Sequence, residues 1–70
     1  MKTLKINGTE KHFPDGQLPA TLTELLKQLN IDCATVVAEI DGQIIERKNF
    51  PQTGLHERQN IELVRFVPGG

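Results

Sequence analysis

A chain of 70 residues with 37% hydrophobic content sustains one domain with a single modest core, which excludes an active-site cleft between two lobes. A net charge of −1, with three Phe and neither Tyr nor Trp, leaves no electrostatic footprint or stacking platform for nucleic acid, and no basic face for an anionic membrane. No apolar run approaches the ~20 residues of a membrane span, and no apolar signal region follows Met1-Lys2-Thr3, so the expected compartment is the cytoplasm.

Lys2 to Asn7 alternates, with Leu4 and Ile6 on one face, as a strand does. Asn7-Gly8 follows, two residues that tolerate positive φ, and predicts a tight hairpin into a return strand over Thr9 to Phe13. Pro14-Asp15-Gly16 ends that strand, and a loop runs to Pro19. Thr21-Leu22-Thr23-Glu24 has capping-box spacing, in which the Thr21 hydroxyl accepts from the Glu24 N–H and the Glu24 side chain reaches back. Leu22, Leu25, Leu26 and Leu29 then form one helical stripe, and Asn30 suits the left-handed position that closes a helix. So short a helix must pack on a sheet to persist. Thr35 to Ile40 reads as a third strand, Asp41-Gly42 as a second hairpin turn, and Gln43 to Arg47 as the partner strand. Lys48 to Gly54 is irregular, and Asn60 to Val67 is the last strand.

The order is β-β-α-β-β-β, an α+β arrangement with one main helix on a four-to-five-strand sheet, in a single domain spanning residues 1–70. The last strand is apolar enough to lie beside the first. One helix covers one face, so the other meets solvent or a partner. If Ile61 and Leu63 face the helix, Val64 and Phe66 point away from it. With Val67 and Pro68 they form a candidate partner contact at the base of a flexible tail, residues 68–70. Arg65 and Glu62 flank this segment and read first as surface charge.

Cys33 is the one cysteine, which excludes an internal disulfide and cysteine-cluster zinc sites; alone, it reads as a small buried hydrophobe. His12 and His56 lack metal-ligand spacing and are expected to face water, so neither a metal site nor a catalytic side chain is expected. Glu10, Lys11, Glu57 and Arg58 read as a solvated face.

The remaining chemistry lies at Gly69-Gly70. The reacting group would be the Gly70 α-carboxylate, a poor electrophile until activated, for instance as an acyl-adenylate made from ATP; sulfur can then attack the carbonyl. Glycine, lacking Cβ, threads a narrow channel and leaves the carbonyl open. The chain has no phosphate loop of its own, since Gly54-Leu55-His56 lacks the required Gly-Lys-Ser/Thr. An inert floppy end is the competing reading. Against it, a strand that runs straight into Pro68-Gly69-Gly70 is more specific than a long glycine–serine tail.

These residues resemble the ThiS family of β-grasp, ubiquitin-like sulfur carriers. The resemblance covers essentially the whole chain: Asn7-Gly8, Thr21-Leu22 with Leu25-Leu26, Val36-Val37-Ala38, Arg47, Leu55, and Ile61-Glu62-Leu63-Val64 leading to Gly69-Gly70. Three positions depart from the family pattern. Arg58-Gln59 stands where such carriers often have Gly-Asp, Asp41 where Asn is frequent, and Pro68 where a third glycine is common.

The resemblance implies a β-grasp fold with a mixed sheet. It implies no bound cofactor, and a ThiF-like adenylating enzyme that uses ATP and magnesium to activate Gly70. A persulfide sulfur donor, such as a cysteine desulfurase, would supply sulfur for a thiocarboxylate. Thiazole synthase would then accept that sulfur in thiamine biosynthesis. A MoaD-like carrier for molybdopterin or another sulfur metabolite, a non-enzymatic β-grasp binding module and a ubiquitin-like modifier fit the same tail.

Overall fold

The computed structural model describes residues 1–67. Strands β1 (Lys2–Ile6) and β2 (Thr9–Phe13) form the first hairpin, followed by helix α1 (Leu22–Gln28). A 3₁₀ turn over Cys33–Thr35 leads into β3 (Val36–Ile40), and β4 (Gln43–Ile45) returns beside it. A 3₁₀ segment, Arg47–Gln52, precedes β5 (Asn60–Arg65). The five strands make one mixed sheet in the order β2-β1-β5-β3-β4. β1 and β5 run parallel and the other neighbours antiparallel, giving the expected β-grasp with one helix on one sheet.

Both hairpins turn where the sequence demands positive φ. Asn7 and Gly8 adopt φ of 50° and 81°, and Asp41 and Gly42 adopt 50° and 85°, matching the twist of the flanking strands. The helix begins as predicted, with the Thr21 hydroxyl accepting from the Glu24 N–H at 3.3 Å. The return half of the capping box does not form; Glu24 lies instead 4.0 Å from Lys27 Nζ. The chain entering α1 is tied to the loop after the 3₁₀ segment. The Leu22 N–H donates to the Thr53 carbonyl, and the Leu55 N–H to the Ala20 carbonyl, both at 3.0 Å. At the other end Asn30 takes φ 58°, the Asn30 N–H reaches the Lys27 carbonyl, and the Ile31 N–H reaches the Leu26 carbonyl. This is the paired closure expected of a left-handed C-terminal residue.

Leu22, Leu25 and Leu26 of α1 are buried against Leu4, Val36, Ala38, Ile40, Ile61 and Leu63 of the sheet, with Phe13, Phe50 and Leu55 completing the cluster. Each helix leucine contributes about 2 kcal/mol on burial. A helix of seven residues has no independent stability, so this burial is what holds it.

Three strand boundaries move inward from their expected positions. β3 starts at Val36 because Asp32 caps the preceding turn, its carboxylate accepting from the Ala34 N–H at 2.9 Å. β4 ends at Ile45 because Arg47–Gln52 coils and drives Phe50 into the core. β5 ends at Arg65 because its partner β3 begins opposite that residue, at Val36. Lys11 is exposed, as expected of a solvated face; it pairs opposite Leu4, and its Nζ lies 5.6 Å from the Phe13 ring centroid.

Arg58 adopts φ 69°, a left-handed conformation that glycine takes more readily than arginine. Its N–H bonds the Thr3 carbonyl at 2.6 Å, and Gln59 Oε1 accepts from the His56 N–H at 2.8 Å, so the departing pair Arg58-Gln59 still closes a bonded turn. Left-handed backbone costs an ordinary residue about 1–2 kcal/mol, while glycine adds roughly 0.5–1 kcal/mol of unfolded-chain entropy. Arg58→Gly is therefore expected to stabilise the domain by about 0.5–1 kcal/mol, read as a higher urea midpoint. A lowered midpoint would show that the arginine side chain contributes more than the strain removes.

Candidate functional site

β5 organises the site. Its alternation sends Ile61 and Leu63 into the core and Val64 to the open face of the sheet, where Val64 is 62% exposed. β3 and β4 add Val37 and Ile44, both exposed. Val37 stands opposite Val64, and Ile44 stands opposite Glu39, which in turn faces Glu62 across the β3–β5 ladder. The open face thus carries an apolar patch interrupted by two neighbouring carboxylates. Val37, Ile44 and Glu39 were not singled out from sequence, because an exposed position on β3 or β4 joins this patch only through the β3–β5 pairing. The two-residue Asp41-Gly42 turn does fix Glu39 opposite Ile44 and was the available signal.

Beyond Arg65 the Phe66 N–H donates to the Thr35 carbonyl at 2.8 Å, which holds the chain where it leaves the sheet. Phe66 is 45% exposed and stays outside the core cluster. It lines a shallow groove of ≈ 350 Å³ with Val37, Ile44, Phe50 and Cys33. Val67 is exposed. The sequence-predicted contact residues Val64, Phe66 and Val67 are therefore brought together at one end of the sheet and left uncovered by the described residues. Pro68, Gly69 and Gly70 lie outside the described residues.

Cys33 is exposed, which corrects the expectation of a buried small hydrophobe. The 3₁₀ turn that holds it sits at the surface, capped by Asp32, while the neighbouring Val36 fills the core. His12 and His56 are both exposed, on β2 and in the loop before β5. Among the described residues, no three His, Cys, Asp or Glu side chains group to hold a metal ion. No helix among them is long and apolar enough to cross a membrane.

The β1–β5 junction is held by a side chain. The Lys5 N–H donates to the Gln59 carbonyl at 3.0 Å and the Asn7 N–H to the Ile61 carbonyl at 2.9 Å, after which β1 turns away. The Asn7 side chain then continues the ladder. Asn7 Oδ1 accepts from the Leu63 N–H at 2.7 Å, and Asn7 Nδ2 donates to the Leu63 carbonyl at 3.2 Å. These are the bonds that the carbonyl of residue 7 and the N–H of residue 9 would make if β1 ran on as a parallel strand. Asn7 thereby fixes the backbone directly before Val64.

The sequence matches the ThiS family over residues 4–70. The fold superposes on the crystal structure of the thiamine biosynthesis protein ThiS from Geobacter metallireducens with a TM-score of 0.80 and 30% identity, covering 97% of this chain and 99% of that one. It also superposes on a solution structure of a thiamine biosynthesis protein from Geobacter metallireducens, with a TM-score of 0.74 and 30% identity, covering 97% of this chain and 87% of that one. A comparison with curated proteins gives no match.

Proposed function

The chain belongs to the ThiS family, and on that premise we propose that it is a sulfur carrier for thiamine biosynthesis whose Gly70 carboxylate becomes a thiocarboxylate. The observation that carries this reading is a family match that runs through Gly69-Gly70 on a β-grasp body whose last strand leads to that end. A ThiF-like adenylating enzyme, using ATP and magnesium, joins the Gly70 carboxylate to AMP and releases pyrophosphate. The terminal sulfur of a persulfide, such as that of a cysteine desulfurase, displaces AMP. A thiol then cleaves the resulting acyl disulfide, leaving the thiocarboxylate and a new disulfide. Thiazole synthase accepts the sulfur. All of this takes place in the cytoplasm.

The body contributes docking and reach. From Phe66, whose N–H is held by Thr35, four residues of chain can reach at most about 13 Å. That length lets the carboxylate enter a partner's active site while Val64, Phe66, Val67 and Pro68 contact its rim. The chain is a co-substrate rather than an enzyme, so the catalytic groups, ATP and magnesium belong to the partner. The thiamine pathway is preferred over the molybdopterin-type carrier and the protein modifier because the family and both structural neighbours point to thiamine biosynthesis.

Intact-protein mass spectrometry, on the chain incubated with the adenylating enzyme, ATP and a persulfide donor, tests the reading. The expected result is a mass gain equal to exchanging one oxygen for sulfur, lost again when thiazole synthase and its substrates are added. Absence of the gain would overturn the thiocarboxylate assignment. A gain that thiazole synthase leaves untouched would move the chain to another sulfur pathway.

A further inference from the structure

β5 is pinned along its length and released at one point. The Asp41 carboxylate accepts from the Asn60 N–H at 2.8 Å, and the Asn7 amide brackets Leu63. The β3–β5 register runs from Ile40 opposite Ile61 to Val36 opposite Arg65. Phe66 continues it by one residue, its N–H donating to the Thr35 carbonyl at 2.8 Å. In an antiparallel pair of this kind each residue normally donates to the other. The Thr35 N–H is directed elsewhere: it donates to the Asp32 carbonyl at 3.0 Å, and the Thr35 hydroxyl donates to the same oxygen at 2.8 Å. The Asp32 carboxylate closes this turn by accepting from the Ala34 N–H at 2.9 Å. The next hydrogen-bonded pair in the same register would set residue 33 opposite residue 68. Residue 68 is proline, which has no N–H to donate. The ladder is thus stopped from both strands within one rung of Phe66.

We propose, on the carrier reading above, that Asp32 is a positioning residue for the Gly70 carboxylate: the turn it caps ends the β3–β5 ladder at Phe66 and so sets the chain that carries Gly70 to four residues, Val67 to Gly70, with Pro68 as a second stop. Reach is the quantity at stake. Four residues span at most about 13 Å, and two at most about 7 Å. One further rung, between residues 33 and 68, would leave only Gly69 and Gly70 beyond the sheet. Residues 33–35 contain neither proline nor glycine, and Thr35 favours a strand. The Asp32 cap is therefore what holds them in a turn, as aspartate does where its side chain bonds the backbone two residues on. Extension of the ladder would also have apolar surface to cover, since Val67 is exposed. The two stops act against that local gain and keep the carboxylate at the longer reach.

The test follows the backbone and the sulfur separately. Amide hydrogen exchange on the full chain, read by NMR, follows the ladder. Pro68→Ala restores an N–H at position 68 while the turn still stands, so that amide is expected to exchange at the unprotected rate. Combining Asp32→Ala with Pro68→Ala is expected to slow it about fivefold, the gain of one hydrogen bond of ordinary net strength. Asp32→Asn with Pro68→Ala keeps the acceptor for the Ala34 N–H and should return the unprotected rate. Thr35→Val with Pro68→Ala weakens the same turn by another route, and carries the test if the first double variant fails to fold. Protection at position 68 in Pro68→Ala alone, or its absence in both double variants, overturns the stop. Loading with the adenylating enzyme, ATP and a persulfide donor, followed by mass spectrometry, reads reach. The Asp32→Ala, Pro68→Ala chain is expected to show a KM raised about fivefold over that of Pro68→Ala with the same kcat, because only the unpaired tail is competent. Two glycines inserted after position 68 should restore that KM, which a simple loss of structure would not allow. An unchanged KM, or one that the glycines fail to restore, overturns the positioning role and leaves the carrier reading standing. A wild-type chain that gains no sulfur overturns the carrier reading, and the positioning role with it.

Discussion

Asn7→Ala is expected to remove about 3 kcal/mol of stability, most of what a domain of this size has, since cores this small rarely supply more than about 3–5 kcal/mol. Two terms add. The amide makes two hydrogen bonds to the Leu63 backbone, at 2.7 and 3.2 Å, and each is worth about 1 kcal/mol net. Residue 7 also sits at φ 50°, where alanine suffers roughly 1 kcal/mol of strain that asparagine better tolerates. Two further variants separate the terms. Asn7→Gly accepts the backbone conformation but loses both bonds, and should cost about 2 kcal/mol. Asn7→Asp keeps the acceptor for the Leu63 N–H and loses the donor to its carbonyl, and should cost about 1 kcal/mol. Urea unfolding gives the ordering directly. Equal midpoints for the glycine and wild-type chains would show that the side chain serves only the turn. The loss should also reach function, because Leu63 immediately precedes Val64 on the strand that leads to the reactive end.

That role illustrates what the sequence could and could not reveal. Asn7-Gly8 and Asp41-Gly42 announced their turns because the demand for positive φ is local and few residues meet it. The leucines of α1 announced a helix face because their spacing is local as well, and Asn30 marked its end. The exposure of Val64 followed from alternation along β5, given only that Ile61 and Leu63 face inward. The bond from Asn7 to Leu63 spans 56 positions along the chain, and no local pattern encodes it. The opposition of Glu39 and Glu62 likewise depends on the β3–β5 register, which is set by long-range packing and by where Asp32 and the Cys33–Thr35 turn allow β3 to begin. The same turn exposes Cys33, against its compositional tendency to be buried. Arg58 shows the converse: a residue poorly suited to φ 69° is held there by the Thr3 and His56–Gln59 bonds around it.

Deleting Gly70 is expected to have the largest effect on sulfur loading while leaving the fold intact. The shortened chain still ends in a glycine carboxylate, so its intrinsic reactivity is preserved and only its reach changes. One extended residue is about 3.5 Å, and a misplacement of about 1 Å can cost a hundredfold in rate. A carboxylate withdrawn by a whole residue should therefore load at least about a hundred times more slowly. Gly70→Ala keeps the length and adds one methyl beside the reacting carbon; its loss should be smaller than that of the deletion if reach governs, and larger if the partner's channel has no room for a side chain. The melting midpoints of both variants should equal that of wild type, because the described core side chains all precede Phe66. Loading of the deletion variant at the wild-type rate would place the reaction away from the terminal glycine. Retained loading with a lowered midpoint would instead assign the last residue a structural role.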